Sequence, residues 1–509
     1  MMETSDRSMG AGLNGVQPQA LDQRSSPLME SLDCRDLSVQ GADCQGRELN
    51  ARGAGRGRSN FVSAVGNFSI QYNFVSASIA LQVLSNPHYL GHQLYLEPGW
   101  SERVVLAVVF LGAMLGMVIM GRLGDVIGRT RALLLTLALT GVGAVVPACA
   151  FGPPDLVYGI LCLGRLLSGV GAGGIFPLSA VHSAEGSEHA QNRGFRIARA
   201  FFWQSIGMCV PYLVAMLLFW LIRPDPPAAW VAQLEFRLLF GLGLLPVLVN
   251  IVATMREEES LEFQGLAAQR RQQPRGAIAA LRAEHPQTRW TLLGTAGSWF
   301  FYDICYYGSA TFTPDILNSI CISGAKINGK CDQTLFQIAW QSVLVQCMAV
   351  PGTILAMLLI DRIGCKRLNV LGLLLLCANF VAMAVVSAVS DGAETLLFAL
   401  FCSLTFLLNF GPNVATYVLP AICFPTHVRS TCHGLSSFGG KTGAAIGALM
   451  FPAVKSSSMG MSGVMALQAV FAAIGAVVSQ TLLKHDWDYL NPEDKCATES
   501  FIQGAGVAS

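Results

Sequence analysis

Charge is scarce in this chain. Lys and Arg total 33 and Asp and Glu 32 in 509 residues, 13% together, about half of the roughly 25% usual in soluble proteins. So few charges cannot coat soluble domains of this length, which excludes a soluble enzyme. A basic excess is missing as well: the net charge is +1, so no broad surface can neutralise phosphate backbones and no nucleic-acid partner is expected. Any anion must be met by a few placed cations. The 15 cysteines include no CxxC pair, and Cys149, Cys162, Cys209, Cys347, Cys377 and Cys402 lie in apolar runs, where a thiol acts as a small hydrophobe. No metal site and no cofactor is expected. The first 59 residues lack the apolar core of about 7–15 residues that a cleavable signal peptide needs. Polar and rich in Gly and Arg, residues 1–59 read as a disordered tail.

Apolar residues are abundant, at 52%. They fall in runs at about 61–84, 102–120, 132–151, 156–184, 197–222, 231–254, 290–310, 333–360, 368–390, 394–422, 431–453 and 461–483, each long enough to cross a bilayer. The lipid bilayer is therefore a partner. Twelve spans divide into halves at 60–254 and 290–484, joined by a polar, Arg-rich linker at 255–289 and followed by a tail at 485–509. The short connections carrying Arg122, Arg129 and Arg131, then Arg193 and Arg196, then Arg362, Lys366 and Arg367, then Arg429, are the basic set. Basic loops stay on the cytoplasmic side, which places both tails and the linker there. Cys321 and Cys331 then lie outside, after the seventh span, where a disulfide can persist; two free thiols are the alternative.

The halves repeat. Asp125, Ile127, Gly128 and Arg131 after the second span recur 236 positions on as Asp361, Ile363, Gly364 and Arg367 after the eighth, and Arg193 recurs as Arg429. Related halves suggest a transporter with its substrate site near the midplane. In the loop, Gly128 permits a tight turn, Asp125 can meet a helix N-terminus, and Arg129 and Arg131 can pair with carboxylates on neighbouring helices. Such a clasp, with Asp361 and Arg367 as its counterparts, breaks and re-forms as the halves rock.

Charged groups near the bilayer centre cost about 2.5–3.5 kcal/mol each on insertion scales, so each is a functional candidate. Arg165 lies in a glycine-rich stretch of the fourth span that lets another helix approach closely; it reads equally as a structural Arg bonded to carbonyls or as a transport and gating residue. Asp303 is near the middle of the seventh span and Lys441 near the middle of the eleventh. Trp299, Asp303 and Tyr307, spaced four apart, share one helical stripe, putting an indole N–H, a carboxylate and a phenol side by side. The tenth span offers Asn413 after the helix-breaking Pro412, and the fifth offers Gln204. One buried Lys among neutral donors describes a pocket for a small anion. Asp303 fits there only if it pairs with Lys441 or binds a proton, so protonation can favour loading of anion and deprotonation its release. No nucleophile–base pair stands out, and a membrane enzyme is not expected.

At these residues the sequence resembles the phosphate:proton symporter family of the major facilitator superfamily, the fungal and plant phosphate permeases, over most of residues 60–485. The Gly121-to-Arg129 loop carries the superfamily resemblance; the Ser298-to-Tyr307 stretch and the Asn409-to-Lys441 stretch carry the specific one. The resemblance implies the major facilitator fold, all-α with twelve transmembrane helices in two six-helix halves, and a plasma-membrane location. It also implies inorganic phosphate and protons as partners, Gln204, Trp299, Asp303, Tyr307, Asn413 and Lys441 as phosphate-binding residues, and Asp303 as a proton carrier. The chain departs from the family pattern at Ile175 and Phe176, where the family has Asp and Tyr, at Ile70 and Asn73, where it has two aspartates, and at Thr136, where it has Glu. The anion pocket is thus better kept than the proton route. Proton-coupled phosphate transport by alternating access is the leading expectation. Uncoupled or exchange transport of phosphate or an organic phosphate ester, and a transporter-like phosphate sensor, are the alternatives.

Overall fold

The computed structural model describes residues 34–85, 94–185, 193–222, 228–259, 263–264, 286–310, 313, 317, 325–327, 330–389 and 393–484. Met1–Gly53 and Ala54–Ser509 form separate compact units. Helix α1 spans Cys34–Ser85, so helical backbone begins inside the stretch expected to be disordered.

The first half continues with α2 (Ser101–Ile127), α3 (Arg129–Ala148), α4 (Pro154–Glu185), α5 (Arg193–Leu221) and a sixth span made of α6 (Ala229–Gly241) and α7 (Leu244–Thr254). The second half comprises α8 (Pro286–Ala310), an eighth span made of α9 (Leu335–Cys347) and α10 (Ala349–Ile363), then α11 (Cys365–Val389), a tenth span made of α12 (Glu394–Asn409) and α13 (Pro412–Cys423), α14 (Arg429–Lys455) and α15 (Gly460–Leu482). The only strands among the described residues are β1 (Ala325–Ile327) and β2 (Lys330–Asp332), an antiparallel hairpin between α8 and α9 with Lys326 opposite Cys331. Cys321 lies outside the described residues, and the disulfide expectation with it.

Among the described residues, nine spans are long and apolar enough to cross a membrane. The three spans outside that set, α1, α8 and α14, are among the most polar, and α8 and α14 carry Asp303 and Lys441. Small residues bring the helices together. Glycines 112 and 116 of α2 face the backbone of Leu166 and Val170, while Gly169 and Gly173 of α4 face that of Val109 and Ala113, so any larger side chain would meet main chain. That is the close approach expected beside Arg165. In the second half, Gly443 and Gly447 of α14 abut the backbone of Phe300 and Ile304 on α8 in the same manner, which fixes the two helices that carry the charged centre.

The repeat is written in the backbone too. Gly128 and Gly364 both adopt positive φ, 107° and 91°, where a side chain is strained, and each separates two consecutive helices.

Candidate functional site

Two charged constellations stand out, one buried between the halves and one at the end of the bundle where the repeated loops lie.

The buried one is built by α8 and α14. Asp303 and Lys441 are each 2% exposed. Lys441 Nζ donates to Asp303 Oδ2 at 2.9 Å and to the Tyr307 hydroxyl at 2.8 Å. Its charge also lies 4.1 Å from the centre of the Tyr307 ring and 5.1 Å from that of Phe176 on α4, within the range of a cation–π attraction. Trp299 packs against Phe176 and His433 and covers Gly440, where a Cβ would strike the indole. Asp303 and Tyr307 of the expected stripe therefore face one cation, with Trp299 packed alongside, and the ammonium answers the carboxylate charge that an anion pocket could not hold alone.

Gln204 and Asn413 are also buried. The Gln204 side-chain oxygen has no hydrogen-bond partner among the described residues, whereas Asn413 Nδ2 donates to Asn409 Oδ1 at 2.7 Å across the break between α12 and α13. No hydrogen bond among the described residues ties either of them to Lys441. Below the pair lies a polar contact between the halves that sequence reading missed. The Tyr417 hydroxyl is 2.7 Å from Ser179 Oγ and accepts from Asn67 Nδ2 at 3.2 Å, and its ring stacks on Phe201 at 4.2 Å. Tyr417 lies in an apolar run and reads as core, so only the partners from distant spans reveal it.

The second constellation joins the halves through the repeated loops. Asp125 Oδ2 accepts from the Thr431 backbone N–H at 2.7 Å and from its hydroxyl at 2.6 Å, capping the first turn of α14. Asp361 Oδ2 accepts from the Phe195 N–H at 3.0 Å, in the first turn of α5. The two contacts are related by the same 236-residue shift as the loops, and each aspartate holds a helix of the opposite half. Arg129 donates to Glu185 Oε1 at 2.8 Å and to the Thr426 carbonyl at 2.9 Å, and Arg429 approaches Glu185 at 3.6 Å. Glu259 caps α3 by accepting from the N–H groups of Arg129 and Thr130, each at 2.9 Å. Asp125, Arg129 and Asp361 thus enter the network, while Arg131 and Arg367 are exposed and their side chains make no ion pair among the described residues. Glu185 and Glu259 were not anticipated, because a carboxylate in a polar connection looks like any solvated one.

Residues 59–482 match the model of the sugar (and other) transporter family. An inorganic phosphate transporter PT2 of Toxoplasma gondii is 31% identical, over 92% of this chain and 77% of its own length. The chain belongs to this transporter family. A probable inorganic phosphate transporter 1-6 of Arabidopsis thaliana is 29% identical over 83% of this chain and 90% of its own. The fold is that of a solved major facilitator superfamily proton:xylose symporter, with a TM-score of 0.69, 16% identity, and coverage of 85% of this chain and 97% of that one. The transporter is thus a multi-pass integral membrane protein with the major facilitator fold, and its relatives are carriers rather than enzymes.

Proposed function

We propose that the protein carries inorganic phosphate across the membrane by alternating access, with Asp303 as its proton-coupling group. The observation that supports this reading is the buried contact of Lys441 with Asp303 and Tyr307. An arriving oxyanion competes with Asp303 for the ammonium. Protonation of Asp303 removes that competition and leaves Lys441, Tyr307 and the Trp299 indole to hold the anion. After the halves rock, loss of the proton returns Asp303 to Lys441 and expels the phosphate. Gln204, with a buried side-chain oxygen lacking a partner, and Asn413 accept from the hydroxyls of a protonated phosphate. The aspartate caps on α14 and α5, with Arg129 and Gly128 in support, form the gate that opens on one side; Arg165, bonded to the Asn73 carbonyl deep in the first half, stands apart from it. By the basic loops, that side is cytoplasmic together with both termini, and the membrane is the plasma membrane.

The test is uptake of labelled phosphate into proteoliposomes. An inwardly directed proton gradient should stimulate uptake by the wild type, Lys441→Ala should abolish uptake, and Asp303→Asn should leave at most gradient-independent exchange. Full gradient stimulation in Asp303→Asn would sink the coupling role. A second reading, exchange without proton coupling, is favoured by the fully buried Ile70, Thr136 and Ile175: none of these can carry a proton, so Asp303 has no carboxylate relay among them. Gradient-independent uptake by the wild type would select it.

A further inference from the structure

Tyr307 also walls a cavity of about 50 Å³ between the halves, lined by Gln71, Ser78 and Arg165 of the first half and by Tyr306 and Gln346 of the second. One water needs roughly 10–15 Å³ on the same measure, so the space suits a few waters or one tetrahedral oxyanion.

Its charge is out of balance. Arg165 is 3% exposed. Its Nη1 donates to the Asn73 carbonyl at 2.8 Å, and its Nε has no partner. No carboxylate among the described residues pairs with it. A buried cation answered only by a carbonyl dipole and by the Phe74 ring, 5.9 Å away, retains most of its desolvation penalty. Gln71, also buried, turns its side-chain amide toward the Tyr307 hydroxyl, but its Nε2 completes no hydrogen bond of good geometry. On the facing side Gln346 presents a buried side-chain oxygen that accepts nothing. Cation, amide donor and amide acceptor together suit an anion that accepts hydrogen bonds on one side and donates on another, as dihydrogen phosphate does and sulfate or chloride does not.

We propose that this cavity is a second phosphate station, in which Arg165 and Gln71 bind the anionic oxygens and Gln346 accepts from a phosphate hydroxyl, with Tyr307 standing between it and Lys441. The assignment rests on the phosphate reading above. Phosphate held there waits beside the central pair, with Tyr307 the wall that the two stations share.

Equilibrium binding of labelled inorganic phosphate to the purified full-length protein in chloride-free buffer tests it. The wild type should bind two phosphates per chain. Lys441→Ala should leave the Arg165 station, and Arg165→Gln should leave the Lys441 station, weakening the other by roughly 10- to 100-fold, the scale of a lost charge-assisted hydrogen bond. Val75→Phe, which fills the same cavity and keeps the arginine, should remove the same phosphate and decides the matter if Arg165→Gln does not fold. A single site abolished by Lys441→Ala and untouched by Val75→Phe overturns the station and leaves the phosphate reading intact. A folded wild type that binds no phosphate overturns both. Sulfate that displaces the second phosphate with equal affinity overturns the role of Gln346.

Discussion

At the scale of single residues, the decisive feature is a pair of opposite charges held 2.9 Å apart with almost no exposure. Removing one member of such a pair strands the other in a poorly solvating medium, at a typical cost of about 3–5 kcal/mol, whereas replacing both by neutral groups is often tolerated. Lys441→Ala should therefore lower thermal stability as well as abolish uptake. The double variant Asp303→Asn with Lys441→Met should regain most of the stability without regaining transport. Differential scanning fluorimetry beside the uptake assay checks this; a double variant as unstable as the single one would show that the pair is not what the lysine answers. These two residues were legible in the sequence because an ionised side chain inside an apolar run costs so much that it signals a purpose. Glu185 and Glu259 were not, since their environment is set by folding and not by their neighbours in the chain.

At the scale of elements, continuous apolar runs announced the spans but not their interruptions. The sixth span breaks between Gly241 and Leu244, the eighth at Met348 and the tenth between Asn409 and Pro412. Each break stands beside helix breakers, Gly241, Gly243 and Pro246 at the first, Pro351 at the second and Pro412 at the third, but only Pro412 read as one, because the other two sit in hydrophobicity that otherwise looks like a single rod. The glycine contacts were half legible: a glycine-rich α4 face foretold a close neighbour, but not that α2 answers with Gly112 and Gly116. Gly116→Val should push the new side chain into the Val170 carbonyl. Overpacking of this kind costs about 1–3 kcal/mol, to be read as a lowered melting temperature. Gly159 of the same α4, with open space at its Cβ position, should accept Ala with no comparable loss.

At the scale of the whole molecule, the aspartate caps on α14 and α5 join the halves at two related places. Loss of a helix cap typically costs about 0.5–2 kcal/mol. If the caps hold one end of the transporter shut, Asp125→Ala should raise the population open at that end by roughly 2- to 30-fold. Asp361→Ala should do the same in lesser degree, because Asp125 accepts two short hydrogen bonds from Thr431 and Asp361 one from Phe195. Spin-label distances across the two loops measure this, and unchanged distributions in both variants would remove the caps from the gate. The twelve-span frame and the two-fold relation were readable from run lengths and the repeated loop. That each half grips a helix of the other was not, because the repeat records ancestry and not contact.

The mutual neutrality of Asp303 and Lys441 has an electrical consequence. Carried together, the two contribute no net charge when the empty carrier reorients, so membrane voltage finds nothing to pull on in the pair during the return step. A singly charged phosphate travelling alone adds one elementary charge to the loaded step, worth about 2.3 kcal/mol per 100 mV. The same anion accompanied by one proton adds none. A voltage-clamped membrane thus distinguishes the modes of transport without any substitution: phosphate moving alone drives an outward-directed current when it enters, one proton per phosphate is electrically silent, and a second proton reverses the sign.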